Sequence, residues 1–235
     1  MIGAGFPPFL DRRDAGRQLL ARLPRLDPET TVVIALPRGG VPVAEEIATP
    51  LHLPLDVILV RKVGLPAQPE LAVAAVADGD APIYAINHPI AAMAGLSEAE
   101  VKELAAPQLA EIERRRALWH GGRGPRSVTG KTVVVVDDGI ATGATAKAAL
   151  DALRRAGASR LILAVPVAPA DALADLSDLA DDTICLSTPD PFHAVGAHYR
   201  EFPQVTDTEV AEALTDHATD RAAGRFSSNT PAPPR

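Results

Sequence analysis

The chain has 235 residues, of which 47% are hydrophobic, and this supports one substantial core within the size range of a single α/β domain. Its single cysteine, Cys185, excludes an intrachain disulfide framework or a thiolate metal cluster and suits a reducing cytoplasm. A formal net charge of −7 argues against broad nonspecific nucleic-acid binding, and no run reads as a signal peptide or a membrane span.

The N-terminal segment "FLDRRDAGRQLLARL" predicts a helix capped by Asp11, with Ala15, Leu19, Leu20 and Leu23 on the packing face. The first strand is "TTVVIAL", followed by "PRGG" and the helical "VPVAEEIATPL". A second strand, Leu55 to Val60, leads into "RKVGLPAQPE". Two β-rich pieces, "LAVAAVA" and "APIYAIN", then flank "DGD", a hairpin signal. From Ser97 the chain turns helical, with Ser97 and Glu100 spaced as a capping box and Pro107 predicting a kink or two successive helices. After the exposed "HGGRGPRSVTGK" come a third strand at "VVVV" and a loop and helix in "DDGIATGATAKAAL". The strands "RLILAVPV" and "DTICLS" follow with the helical "PADALADLSDLA" between them, then a late capped helix at "TDTEVAEAL". Strand and helix alternate, which favours a parallel sheet with helices on its faces. The expected organisation is one domain over 1–221, with an insertion at about 71–126 and a disordered tail at 222–235.

In an open parallel sheet, ligands bind beyond the carboxyl ends of the strands. The distinctive loops "PRGG", "RKVGLPAQPE", "DDGIATGAT" and "STPDPFHAVGAHY" all follow strands, so one edge gathers glycines, cations, two carboxylates and an aromatic ring. Small residues between strand and helix let backbone amides approach an anion. The acidic pair ahead of them would repel a phosphate, so it faces either a neutral, hydroxyl-rich group or a metal ion.

"VVVVDDGIATGAT" resembles the phosphoribosyl pyrophosphate motif of type I phosphoribosyltransferases. The resemblance implies a parallel-sheet α/β type I phosphoribosyltransferase fold, here with a hairpin and helical insertion. It implies that Asp137 and Asp138 hold the ribose hydroxyls, while Ala141, Thr142, Gly143, Ala144 and Thr145 wrap the 5′-phosphate. "LPRGG" resembles the family's pyrophosphate loop, placing Arg38, Gly39 and Gly40 at the diphosphate, with an unusual cis peptide there. "RKVGLP" resembles the start of a mobile loop that closes over the reaction centre, bringing Arg61 and Lys62 to the donor, and Glu70 is a candidate base by location. The implied catalytic set is Arg38, Lys62, Asp137 and Asp138, with Mg²⁺ held mainly by the diphosphate rather than by the protein.

The implied partners are phosphoribosyl pyrophosphate and a small-molecule acceptor, with no nucleic acid or membrane, in a cytoplasmic homo-oligomer acting in nucleotide metabolism. The alternative is a regulator that binds the donor without turnover; a dinucleotide enzyme lacks its glycine motif after the first strand. In family members acting on oxopurines an aspartate matches Ala141, so the alanine disfavours those bases. Phe192, in a loop similar to one covering the base, is the candidate acceptor platform. His193 and His198 match no zinc spacing, and "ERRRALW" reads as a solvated helix face or an oligomer contact.

Overall fold

A computed structural model describes residues 9–79, 81–120 and 124–223. Helix α1 (Arg12–Leu20) begins at Asp11, whose carboxylate accepts the Asp14 N–H at 2.7 Å. Strand β1 (Thr31–Ala35), helix α2 (Gly40–Ala48) and strand β2 (Leu55–Val57) follow. The strand expected over Leu55 to Val60 divides, because Asp56 anchors the chain where it leaves the sheet. Its buried carboxylate accepts the N–H groups of Val57 and Arg126 and lies 2.7 Å from His120 Nε2. Strand β3 (Val60–Leu65) therefore belongs to a second sheet with β4 (Gln68–Ala77) and β5 (Ile83–Ile86).

The main sheet is completed by β6 (Thr132–Val136), β7 (Arg160–Val167) and β8 (Asp182–Ser187), in the order β2-β1-β6-β7-β8. Every pairing in it is parallel. Alternating side chains of a strand point to opposite faces, and both faces are covered. Val33, Ala35, Val134, Val136 and Ile162 pack with α1 and α2, whereas Val32, Ile34, Val133, Val135 and Leu163 pack under α5 (Ala144–Arg155). This double burial is why the valine run carries no polar alternation; each fully buried valine contributes about 1.5–3 kcal/mol.

The small antiparallel sheet shares its core with helices α3 (His88–Met93) and α4 (Glu98–His120). Of the two expected outcomes at Pro107, the chain does not divide into two successive helices: α4 runs through the proline as one helix. Proline in a helix interior costs about 3 kcal/mol. Burial of Val101, Ala105, Ile112 and Trp119 along the same helix offsets that cost. The predicted helix after β7 is short, α6 (Ala170–Ala174), and the last helix, α7 (Asp207–Ala223), opens with a capping box in which Thr206 and Glu209 exchange hydrogen bonds. The remainder of the expected tail, 224–235, lies outside the described residues. Among the described residues no helix is long and apolar enough to cross a membrane.

Candidate functional site

Strands β1 and β6 are paired neighbours, so the loops leaving their carboxyl ends must touch. The contact is made by glycines. A Cβ on Gly40 would lie 2.5 Å from the Val136 carbonyl oxygen, and one on Gly39 would lie 2.5 Å from Asp138 Cγ. Only residues without a Cβ let "PRGG" lie flat against the acidic pair. The peptide between Pro37 and Arg38 is cis.

Asp137 and Asp138 directly follow β6, and the Asp138 N–H donates to Asp137 Oδ1 at 2.9 Å. Burial pushes both carboxyls up, and for Asp137 the neighbouring Asp138 charge adds to it, so the pair holds on to a proton above the ordinary carboxylate range. Arg12 opposes this at Asp138, its Nε donating to Asp138 Oδ2 at 2.8 Å. Tyr199 Oη donates to the Asp138 carbonyl at 2.5 Å, and burial with the nearby Asp138 charge pushes the phenol up, keeping it a donor.

Beyond the pair, Gly143 adopts φ +72°, a left-handed conformation that glycine accepts readily, and turns the chain into α5. The amides of the first turn have no partner within the helix and form an anion cradle. Ala141, Thr142 and Thr145 are exposed around it. Arg38 lies at the same edge, 3.7 Å from Asp207 Oδ1, which also accepts the Trp119 indole N–H at 3.1 Å. A cleft of about 550 Å³ opens between Arg38, Gly39 and the acidic pair on one side and Phe202 to Val205 on the other.

The structure thus gathers Arg38, Gly39, Asp137 and Asp138 around one cleft, with Gly40 behind Gly39 and the 141–145 loop following the pair. It does not bring Arg61 and Lys62 there. The segment expected as a mobile loop is a β-hairpin, β3 to β4, and adjacent residues of a strand face opposite sides. Arg61 Nη2 meets Glu111 Oε1 of α4 at 3.0 Å. Lys62 shares a row with Ala75 and Ala85 and lines a separate groove of about 430 Å³ against Ala144 and Lys147 of α5. Glu70 is exposed on β4. Phe192 is half-buried, stacked on the His198 ring at 5.5 Å and packed toward Phe9 and Tyr199. The aromatic residue lining the cleft is Phe202.

Arg12, Tyr199 and Phe202 were not singled out from sequence. "DRRDAG" reads as a helix start, and no local spacing announces that residue 12 meets residue 138. Among the described residues no group of three or more His, Cys, Asp or Glu side chains is arranged to hold a metal ion.

A family model described as a phosphoribosyl transferase domain matches residues 12–201. A protein of Mycobacterium tuberculosis H37Rv, provisionally named a phosphoribosyl transferase, is 47% identical over 206 residues, covering 88% of this chain and 46% of that protein. The chain therefore spans about half the length of the curated relatives it matches. Brevibacillus brevis bifunctional protein PyrR is 52% identical over a shorter stretch of 46 residues, 20% of this chain and 26% of that one. The crystal structure of TT1426 from Thermus thermophilus superposes with a TM-score of 0.78 at 40% identity, covering 89% of this chain and 98% of that chain.

Proposed function

This chain belongs to the phosphoribosyl transferase family and has its type I fold, and from that premise we propose that it transfers the phosphoribosyl group of phosphoribosyl pyrophosphate to a small nucleophile, releasing pyrophosphate. The observation that carries the reading is the continuity of one edge: "PRGG" lies against an acidic pair, and that pair runs into a left-handed glycine that opens a helix. Diphosphate, ribose hydroxyls and 5′-phosphate are matched in that order by loop amides with Arg38, by carboxylates, and by the α5 cradle.

Displacement at the anomeric carbon develops positive character on the ribose and negative charge on the departing diphosphate, so catalysis is chiefly positioning and electrostatics. The ionised carboxylate of the acidic pair accepts from a ribose hydroxyl and favours the developing cation. Arg38 leaves Asp207 to face the diphosphate as its charge grows. Mg²⁺ keeps several waters and takes its other oxygens largely from substrate phosphates, so it would be held mainly by the diphosphate, with no direct protein ligand. When bound, the ion offsets the charge of the leaving group. Lys62 reaches this chemistry only through movement of the β3–β4 hairpin.

Phe192 serves the acceptor in this reading: Phe192→Ala keeps donor affinity within about threefold and weakens acceptor binding about tenfold, as loss of a stacking face worth about 1–3 kcal/mol requires. Equal losses for both ligands would make Phe192 structural. Calorimetry with phosphoribosyl pyrophosphate and Mg²⁺ tests the shared premise, and no saturable binding at millimolar donor refutes it. The second reading, a donor-binding regulator without turnover, draws on the position of Arg61 and Lys62 outside the cleft. A pyrophosphate-release screen over nucleobases and other nucleophiles separates the two.

A further inference from the structure

We infer that Arg12 is a positioning residue of the donor site: from the first turn of α1 it aims the Asp138 carboxylate and ties it to the cleft wall at Phe202 and Pro203. Its functional consequence rests on the donor-site reading above. Arg12 Nε donates to Asp138 Oδ2 at 2.8 Å, and Nη1 donates to the Pro203 carbonyl at 2.6 Å. The guanidinium carbon sits 3.7 Å from the centroid of the Phe202 ring. Two edges and one face of a rigid planar cation are thus committed, and the residue is only 8% exposed. A lysine could supply the charge but neither the fork nor the stacking face.

The chemistry of the acidic pair explains why one member needs this cation. Asp137 and Asp138 are adjacent in a site that disfavours two charges, and among the described residues Asp138 is the member that carries an ion pair, with Arg12. Arg12 therefore makes Asp138 the ionised member and leaves the retained proton on Asp137. One carboxylate that only accepts and one carboxyl that can also donate complement two neighbouring hydroxyls, each of which donates and accepts. Arg12 also couples the 202–205 wall to the pair, so the width of the cleft and the charge inside it are set by the same side chain.

The test is a ¹³C NMR titration of the Asp138 carboxyl in wild type, Arg12→Lys and Arg12→Gln, alongside calorimetry of phosphoribosyl pyrophosphate with Mg²⁺ across pH. In Arg12→Gln the Asp138 midpoint should rise by about one unit or more, and in Arg12→Lys by less. The pH at which donor affinity reaches half its plateau should move by the same amount. An Arg12 that only tethers α1 would lower the unfolding temperature and leave both profiles in place, and an unchanged Asp138 midpoint in folded Arg12→Gln overturns the inference. Should that variant fail to fold, Phe202→Ala removes only the face on which the guanidinium lies; a smaller rise in the same direction is expected, and no rise overturns the inference. Absence of donor binding by wild type would refute the functional reading, while the Asp138 titration would still decide whether Arg12 governs the carboxylate.

Discussion

Replacing Gly39 by alanine isolates the contact on which the site is built. Gly39 has φ −60° and ψ −35°, an ordinary helical conformation, so alanine meets no backbone strain there. Its Cβ would instead lie 2.5 Å from Asp138 Cγ and 2.9 Å from Oδ1, with Oδ2 nearer still. Carbon atoms in contact sit about 3.5–4.0 Å apart, so the carboxylate must retreat by about 1 Å. The oxygen that moves is the one held by Arg12 Nε at 2.8 Å, and the retreat carries it out of hydrogen-bond range. Loss of a charge-assisted bond of about 1.5–3 kcal/mol predicts a fall in donor affinity of about 10- to 100-fold. Stability should suffer less, because alanine at a compatible backbone position regains about 0.4–1 kcal/mol through the unfolded chain. Calorimetry with phosphoribosyl pyrophosphate and Mg²⁺, paired with urea unfolding, measures both effects. The steric origin is checked by adding Asp138→Ala: the double variant should bind no more weakly than Asp138→Ala alone. A folded Gly39→Ala protein that binds donor within about threefold of wild type would refute the argument.

Asp138→Asn should lose at least about tenfold in donor affinity, whereas Asp137→Asn, replacing a carboxyl that burial and the neighbouring Asp138 charge push toward its neutral form, should lose less; calorimetry that ranks them in reverse would reassign the ionised member. A pH effect on stability comes from Asp78, which is 5% exposed and accepts the Leu59 N–H at 2.7 Å. Burial pushes its carboxyl up to about 6 from an ordinary 3.8. The folded state therefore binds the proton more tightly, so stability from this group is greatest below pH 4, falls as pH rises through about 4 to 6, and is lower by about 3 kcal/mol above that window. Urea unfolding at pH 5 and 8 should show wild type gaining on acidification and Asp78→Asn gaining less; parallel pH profiles would count against this assignment.

Local signals determined much of this protein. The valine run ending in Asp137 and Asp138, the glycines of "PRGG" and the Gly143 turn are contiguous, and each encodes its own backbone demand: a strand buried on both faces, a close approach, a left-handed step. The alternation of such segments sufficed for a parallel sheet and for the edge where its loops converge. Packing at a distance determined the rest. Pro107 breaks a helix in isolation, yet α4 continues because its buried side chains are held by other elements. Arg61 and Lys62 look like a cation pair in one dimension, but the pleat of β3 sends one to Glu111 and the other to a different groove. Arg12 carries no local mark of its role, since its partners are Asp138, Phe202 and Pro203, all more than a hundred residues away in the chain. A sequence records what each segment can do with its own backbone, whereas which charge ends beside which carboxylate is decided only when separate faces of the sheet and its helices close on one another.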